Sequence, residues 1–344
     1  MATTEQIAQR QQPVAGARVR FSAETFQRLV ILFILLGLCA VMSILSPNFL
    51  KVANLTNVLR QVAMTVIAAS AATLIMISGG LDISVGGVLA LSGVVAAKLA
   101  TQGVSLPIAI LLGVLSGTLI GLINGTLVVG TRITPVIATL GTMNIARGLA
   151  FLISGGRAVV AGLPPEFRLP GRSYVGPIPT PVIVMAVVFV IFYVLLHHTL
   201  LGKYTYAIGG NKETARLSGI NVGLVQFILY VLGGTTAGIA GVIMASRLAS
   251  GQPDAGFGFE FDVIVAVILG GTSLAGGEGT VFGTLVGALI VGVLNNGLNL
   301  LQVHTFYQYV LQGLVLIFAV ILDMSLKGQG LSLAALRRRL GARS

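Results

Sequence analysis

The stretch LPIAILLGVLSGTLIGLINGTLVV, Leu106–Val129, contains no charged side chain. At 1.5 Å per residue, a helix needs about 20 apolar residues to cross roughly 30 Å of hydrocarbon. This run is long enough, and a soluble helix of that length would need a charged face. Comparable runs recur at Leu29–Leu45, Val62–Ser78, Ile83–Ala100, Ile133–Ser154, Val182–Leu196, Val222–Ala245, Val263–Ala275, Val281–Leu301 and Val310–Leu322. Ten spans are therefore expected, the eighth and tenth being the shortest. No alternating ten-residue strand pattern appears, so the chain reads as an all-α polytopic membrane protein. Composition agrees: of 344 residues 55% are hydrophobic and 9% charged, with a mean hydropathy of +0.97, too little charge to cover a soluble domain of this size.

An even number of spans places both tails on one side, and the basic tails select the cytoplasm. Residues 1–27 form a basic N-terminal tail with Arg10, Arg18 and Arg20; residues 28–324 form the transmembrane domain; residues 325–344 form a C-terminal tail with Arg337, Arg338, Arg339 and Arg343. On this topology 13 of the 21 Lys and Arg lie inside and 7 outside, with Arg147 within the fifth span. The net charge of +11 thus reads as anchoring to anionic lipid and not as a nucleic-acid surface. The opening residues lack a small-residue cleavage site, so the first span is expected to stay. The one cysteine, Cys39, falls in an apolar run, where it excludes an intrachain disulfide and serves as packing.

Two external loops and one internal segment stand out. The external loop 155–181 is proline-rich, and loop 247–262 adds Asp254, Glu260 and Asp262; at 27 residues the first exceeds what a connection requires, which points to a docking surface. The cytoplasmic segment 199–221 holds a short helix. Asn211 is placed to cap it, Glu213 sits in its first turn, Arg216 near its last and Gly219 at its stop. Two turns with only Leu217 and Ile220 as apolar side chains are marginal alone, so this helix is either a loop resting on its own spans or a peg for a separate protein.

The chain carries no machinery for catalysis. No G-x-x-x-x-G-K-[ST] phosphate cradle occurs, nor H-E-x-x-H, nor a Cys/His cluster with metal spacing; His197 and His198 point about 100° apart on a helix. No catalytic or metal-binding residue is assigned, and active transport would need an ion gradient or a partner ATPase.

Three blocks carry a resemblance: SPNFLKVANLTNVLRQVAMTVIAASAATLIMISGGLDISVGGVLALSG (46–93), HHTLLGKYTYAIGGNKETARLSGINV (197–222) and AVILGGTSLAGGEGTVFGTLVGALIVGVLNNGLNLL (266–301). They resemble the permease subunit of bacterial ATP-binding-cassette importers for ribose and related monosaccharides, from about Ser46 to Asp323. The resemblance implies a homodimer in the bacterial inner membrane, a cytoplasmic ATPase that binds ATP and Mg, and a periplasmic sugar-binding protein. It places the ATPase-coupling segment on Gly209, Gly210, Asn211, Glu213, Ala215, Arg216, Ser218 and Gly219. The competing readings are an ion-driven secondary transporter or facilitator acting alone, which would want ionisable groups at mid-membrane and finds little beyond Arg147 and the poorly placed Asp82, and a membrane hydrolase, which lacks a convincing base, metal or nucleophile set.

The family's second signature, GGLDISVGG (79–87), interrupts two apolar runs with an acid. Gly79 and Gly80 permit a helix end, and Asp82 or Ser84 can cap the following helix; a cap is the preferred reading, gating the next, and the loop is placed near the cytoplasmic face. Arg147 is expensive in mid-span and is read as a structural or gating partner, of Asn124 or Asp82, because a sugar has no charge. A polyol path needs amides and hydroxyls, and the candidates are Asn124, Asn144, Asn295, Asn296 and Asn299, with Asn295 and Asn299 on one helix face. Amides in membranes also join helices to one another. Glycine spacings such as GTLIG (117–121) and GTLVG (283–287) allow close helix approach; the neighbouring Asn-Gly pairs do not stay in register, so no repeat is inferred.

Overall fold

The computed structural model describes residues 23–131 and 133–326; the basic residues of both tails outside that range lie beyond the described residues. The chain is mostly helical: α1 Ala23–Leu45, α2 Val52–Ile77, α3 Val85–Thr101, α4 Leu106–Gly130, α5 Pro135–Ser154, α6 Leu169–Arg172, α7 Thr180–His198, α8 Leu200–Gly210, α9 Lys212–Leu217, α10 Val222–Leu248, α11 Phe259–Leu269, α12 Val281–Leu300 and α13 Thr305–Leu326. Six of these, α2, α4, α5, α7, α10 and α12, are long and apolar enough to cross a membrane by length and composition, and shorter apolar helices cover Val30–Leu45, Val85–Thr101 and Thr305–Ile321.

Two elements differ from the sequence reading. Helix α2 begins at Val52, ten residues before the apolar run, because its polar first turns find distant partners: Asn54 and Asn296 exchange amide hydrogen bonds of 2.9 Å each. The eighth apolar run forms a helix of only 11 residues, α11. It covers about 16 Å, half a bilayer. Gly258, with φ +80°, starts it four residues upstream of the apolar run, and Gly271, with φ +86°, ends it before Ala275; the Thr272 N–H reaches back to the Val267 carbonyl at 3.1 Å, a left-handed stop that leaves Gly270–Ala275 non-helical.

Helix α2 is the hub, packing against α7, α10, α11 and α12, and its residues from Val62 to Ile77 are all buried. On one side α10 packs into α3 and α4; on the other α1, α11 and α12 enclose Met42, Val62, Val66 and Val291. The loop 155–181 folds into a 3-10 turn, Pro165–Arg168, then α6 and a small hairpin of β1 Tyr174–Val175 and β2 Ile178–Pro179. Buried Phe167 anchors it, and paired backbone bonds between Val159 and Gly251, 2.8 and 3.0 Å, tie it to the loop after α10.

The α4–α10 seam depends on missing side chains. A Cβ on Gly117 would lie 2.6 Å from the Gly234 carbonyl oxygen and 2.9 Å from the Gly238 Cα, so the backbones meet as in other small-residue membrane interfaces. Gly117→Val is expected to force these helices apart and lower stability by about 1–3 kcal/mol, read as a lower thermal midpoint in detergent. Gly148→Ala, where a Cβ meets nothing within 4 Å, is expected to leave that midpoint unchanged.

Candidate functional site

The segment 199–221 is two helices, α8 and α9, joined at Asn211. The Asn211 side-chain oxygen accepts from the Thr214 N–H at 2.8 Å, fixing the start of α9. Gly219, φ +84°, fixes the end: its N–H donates to the Arg216 carbonyl at 3.1 Å and the Ile220 N–H to the Ala215 carbonyl at 3.1 Å, satisfying two carbonyls that a fraying end would leave open. Arg216 donates to both carboxylate oxygens of Glu213, and these bonds hold the Glu213 carboxyl below its usual range. A depressed carboxyl favours the folded pair at neutral pH, and that contribution fades only as acid titrates the lowered group. Within α9 only Ala215 is buried; Leu217 is 76% exposed, an apolar side chain on a rod that its own chain does not cover.

The rod is seated on backbone. At the end of α8, a Cβ on Gly209 would collide with the Ile77 carbonyl and the Gly277 nitrogen. The Gly277 N–H itself donates to the Ile77 carbonyl at 2.8 Å, and the Tyr206 hydroxyl donates to the Gly279 carbonyl at 2.6 Å. The end of α2, the loop after α11 and the base of α9 therefore form one junction. Beside it opens a groove of about 640 Å³ lined by Ser78, Gly79, Val128, Pro135, Gly210 and Glu213, among others.

From that junction the chain stays out of helix until Val85. The first turn of α3 meets the start of α11, since a Cβ on Gly86 would lie 2.6 Å from the Gly256 carbonyl oxygen, whereas Ile77 is level with the loop beyond the end of α11. The stretch Gly79–Ser84 thus runs alongside α11 out of helix, and Asp82 lies buried inside the bundle, against Gly233 of α10. Such backbone needs partners where water is scarce. The Asp82 Oδ1 accepts from the Ser84 N–H, 2.8 Å, and hydroxyl, 2.6 Å. Asn124 on α4 donates to the Ser84 hydroxyl at 2.8 Å and accepts from Thr142 on α5 at 2.5 Å. Thr139 receives the Ile83 N–H at 3.1 Å, and Gly233 on α10 leaves room for the second Asp82 oxygen, 3.2 Å from where its Cβ would stand. Gly80 serves the same end, because a Cβ there would fall 2.8 Å from the Tyr230 hydroxyl. Thr139, Thr142 and Tyr230 were not among the candidates from sequence; their signal was a hydroxyl inside an apolar run.

A second break descends from the other side. Gly251 lies against Val94 and Ala97, and Gly256 against Gly86 and Leu89, so the loop after α10 runs about 12 Å down α3 before α11 begins. Arg147 holds it, donating to the carbonyls of Pro253, Ala255 and Gly256 at 3.2–3.4 Å and lying 4.8 Å over the Phe257 ring. Neither Asn124 nor Asp82 bonds to Arg147. The Oε2 atom of Glu260 is buried without a partner directly above Gly86, where a Cβ would strike it.

The five asparagines separate. Asn124 and Asn296 are buried and spent on helix-to-helix bonds. Asn295 lies 3.4 Å from the Asp262 carboxylate, which also accepts from Gln312 at 2.6 Å, and Asn299 accepts from Gln308 at 3.0 Å. Asn144 is exposed and, among the described residues, donates to the Leu140 carbonyl of its own helix at 3.1 Å, three residues before Arg147.

Comparison with known proteins finds relatives along most of the chain. The family described as branched-chain amino acid transport system / permease component matches residues 54–320. The chain is 45% identical over 321 residues to the ribose import permease protein RbsC of Bacillus subtilis (strain 168), covering 93% of this chain and 98% of the relative. It is 44% identical over 315 residues to RbsC of Escherichia coli (strain K12), covering 91% and 98%, and 42% identical over 293 residues to the D-allose transport system permease protein AlsC of that strain, covering 85% and 90%. No solved structure matches.

Asn124→Leu removes the buried bonds to the Ser84 and Thr142 hydroxyls, leaving these with Asp82 and the Thr139 carbonyl as their partners. Each lost buried hydrogen bond costs about 0.5–1.5 kcal/mol, so the expected result is a lower thermal midpoint and reduced transport. Asn299→Ala, at an exposed position, is expected to change the midpoint little.

Proposed function

This chain belongs to the branched-chain amino acid transport system permease family, and we propose that it is the membrane subunit of an ATP-binding-cassette importer for a monosaccharide of the ribose type. In this reading two copies sit in the bacterial inner membrane with both termini in the cytoplasm, ten segments enter the bilayer, and α11 is the one that traverses half of it. A separate cytoplasmic ATPase binds ATP and Mg, and a periplasmic sugar-binding protein delivers cargo. The names of the relatives, ribose and allose permeases, support the substrate class.

The observation that carries the reading is the seating of α9. A two-turn rod capped at both ends, exposed along nearly all its length and joined through Gly209 and Gly277 to the end of α2 would move as a rigid body when a docked ATPase moves. A displacement there reaches Gly79 and the non-helical stretch held by Asp82, Ser84 and Asn124. It also reaches the loop before α12 through Gly277. The break at Gly79–Ser84 and the Arg147-held loop then act as inner and outer barriers that approach each other near Gly86 and Glu260, in the manner of interrupted helices at transporter midplanes. Asn144 and the exposed Phe257 ring offer an amide and an aromatic face, suited to a sugar that must bind and leave.

Replacing Gly219 by Val puts a β-branched residue at φ +84°, a strained position, and Arg216→Ala removes the Glu213 pairing. Each variant is expected to insert normally, to keep ATP hydrolysis by the assembled complex within about twofold, and to lower sugar uptake in proteoliposomes by about tenfold or more, the equivalent of 1.4 kcal/mol of lost coupling. Uptake at the wild-type ratio of sugar to ATP would overturn the assignment of α9.

A further inference from the structure

Glu260 lies in the first turn of α11 and is only 7% exposed, yet its Oε2 atom has no hydrogen-bond partner. A buried polar atom left unpaired lowers stability, and nothing nearby relieves this one. Arg147 is near enough to attract the carboxyl, but its donors go to the carbonyls of Pro253, Ala255 and Gly256.

The atom fits where it does because two glycines open α3. A Cβ on Gly86 would strike Oε2 and lie 2.6 Å from the Gly256 carbonyl oxygen, and a Cβ on Gly87 would strike the Met143 carbonyl of α5. The first turn of α3 therefore rests against α5 and the start of α11 with no side chain of its own between them. This is the place where the two breaks in the bundle approach each other. Around it stand Asn144, which follows Met143 and is exposed, and the Phe257 ring, 70% exposed with the Arg147 guanidinium 4.8 Å over it.

A carboxyl, an amide and an aromatic face are the groups that hold a sugar: planar polar side chains meet its hydroxyls and a ring meets its C–H face. A hydroxyl both donates and accepts, so it satisfies Oε2 whether the carboxyl is ionised or protonated. We propose that Glu260 is a specificity-determining residue that touches cargo, its Oε2 atom taking a sugar hydroxyl as the cargo passes between α3 and α11. The assignment deepens the importer reading above and rests on it for the class of cargo. The bond exists only during passage and replaces a cost present at rest, so cargo bearing that hydroxyl is favoured where a smooth apolar channel would not discriminate. When the cargo leaves, the carboxyl returns against Gly86, which keeps the contact transient.

The test measures the purified chain in detergent for stability and the complete transporter with its binding protein in proteoliposomes for uptake. Glu260→Leu exchanges the stranded carboxyl for an apolar side chain of similar size, and is expected to raise the thermal midpoint by about 2–4 °C. The same variant is expected to lower the ribose-type pentose taken up per ATP hydrolysed by about tenfold or more. Glu260→Gln, whose amide also bonds hydroxyls, is expected to keep that quantity within about threefold of wild type. Uptake of the pentose is then compared with uptake of its deoxy analogues, each presented by binding protein saturated with it. For one hydroxyl position the preference for the complete sugar is expected to fall by about tenfold in Glu260→Leu. A lowered midpoint in Glu260→Leu would make the residue a structural partner and overturn the assignment, as would an unchanged preference at every hydroxyl position. If the wild-type complex accumulates no pentose when supplied with ATP, the importer reading fails instead, and the detergent midpoint still decides whether Oε2 is stranded.

Discussion

The Ile77 carbonyl is the point on which the structure turns. Last in α2, it has no helical partner of its own, and it takes the Gly277 N–H at 2.8 Å while Gly209 comes close enough that no side chain fits between. Three segments far apart in sequence are thus fastened by peptide groups with no side chain interposed. Side chains change rotamer under load; packed backbone does not, so the junction is stiff where a cushion of methylenes would yield. Stiffness here joins a short exposed rod directly to buried structure.

Membranes penalise broken helices because every peptide group must find a partner, and this chain breaks twice within its hydrophobic bundle. The break at Gly79–Ser84 is solved by side chains imported from three other helices: Thr139 and Thr142 from α5, Asn124 from α4 and Tyr230 from α10. The break before α11 is solved by one long cation, Arg147, which supplies donors to the carbonyls of Pro253, Ala255 and Gly256. The first solution is compact and closed, with every member buried or nearly so. The second is half exposed and ends on the exposed Phe257 ring.

The apolar runs of α4, α5, α7, α10 and α12 were legible because bilayer thickness imposes a length on them. The caps of α9 were legible because Asn211 and Gly219 act on neighbours within a few residues. What stayed hidden depended on partners distant in the chain. The first turns of α2 look like loop until Asn296, 242 positions away, is seen to pair with Asn54. The short α11 looks like a span because hydrophobicity does not report where Gly271 will turn left-handed. Among the asparagines, residue type alone could not separate Asn124, locked in a network, from Asn144, left open. Arg147 showed as costly, yet its partners are carbonyl oxygens, which no sequence pattern marks.

Helix α2 is one uninterrupted rod of 26 residues, about 39 Å long, with Arg60 in the third nearest its start and the Ile77 carbonyl at its end. A rod that reaches both ends of the bundle cannot be tuned at one end alone. Whatever factor a ligand at one end contributes to affinity at the other must be returned in equal measure in the opposite direction, by thermodynamic reciprocity.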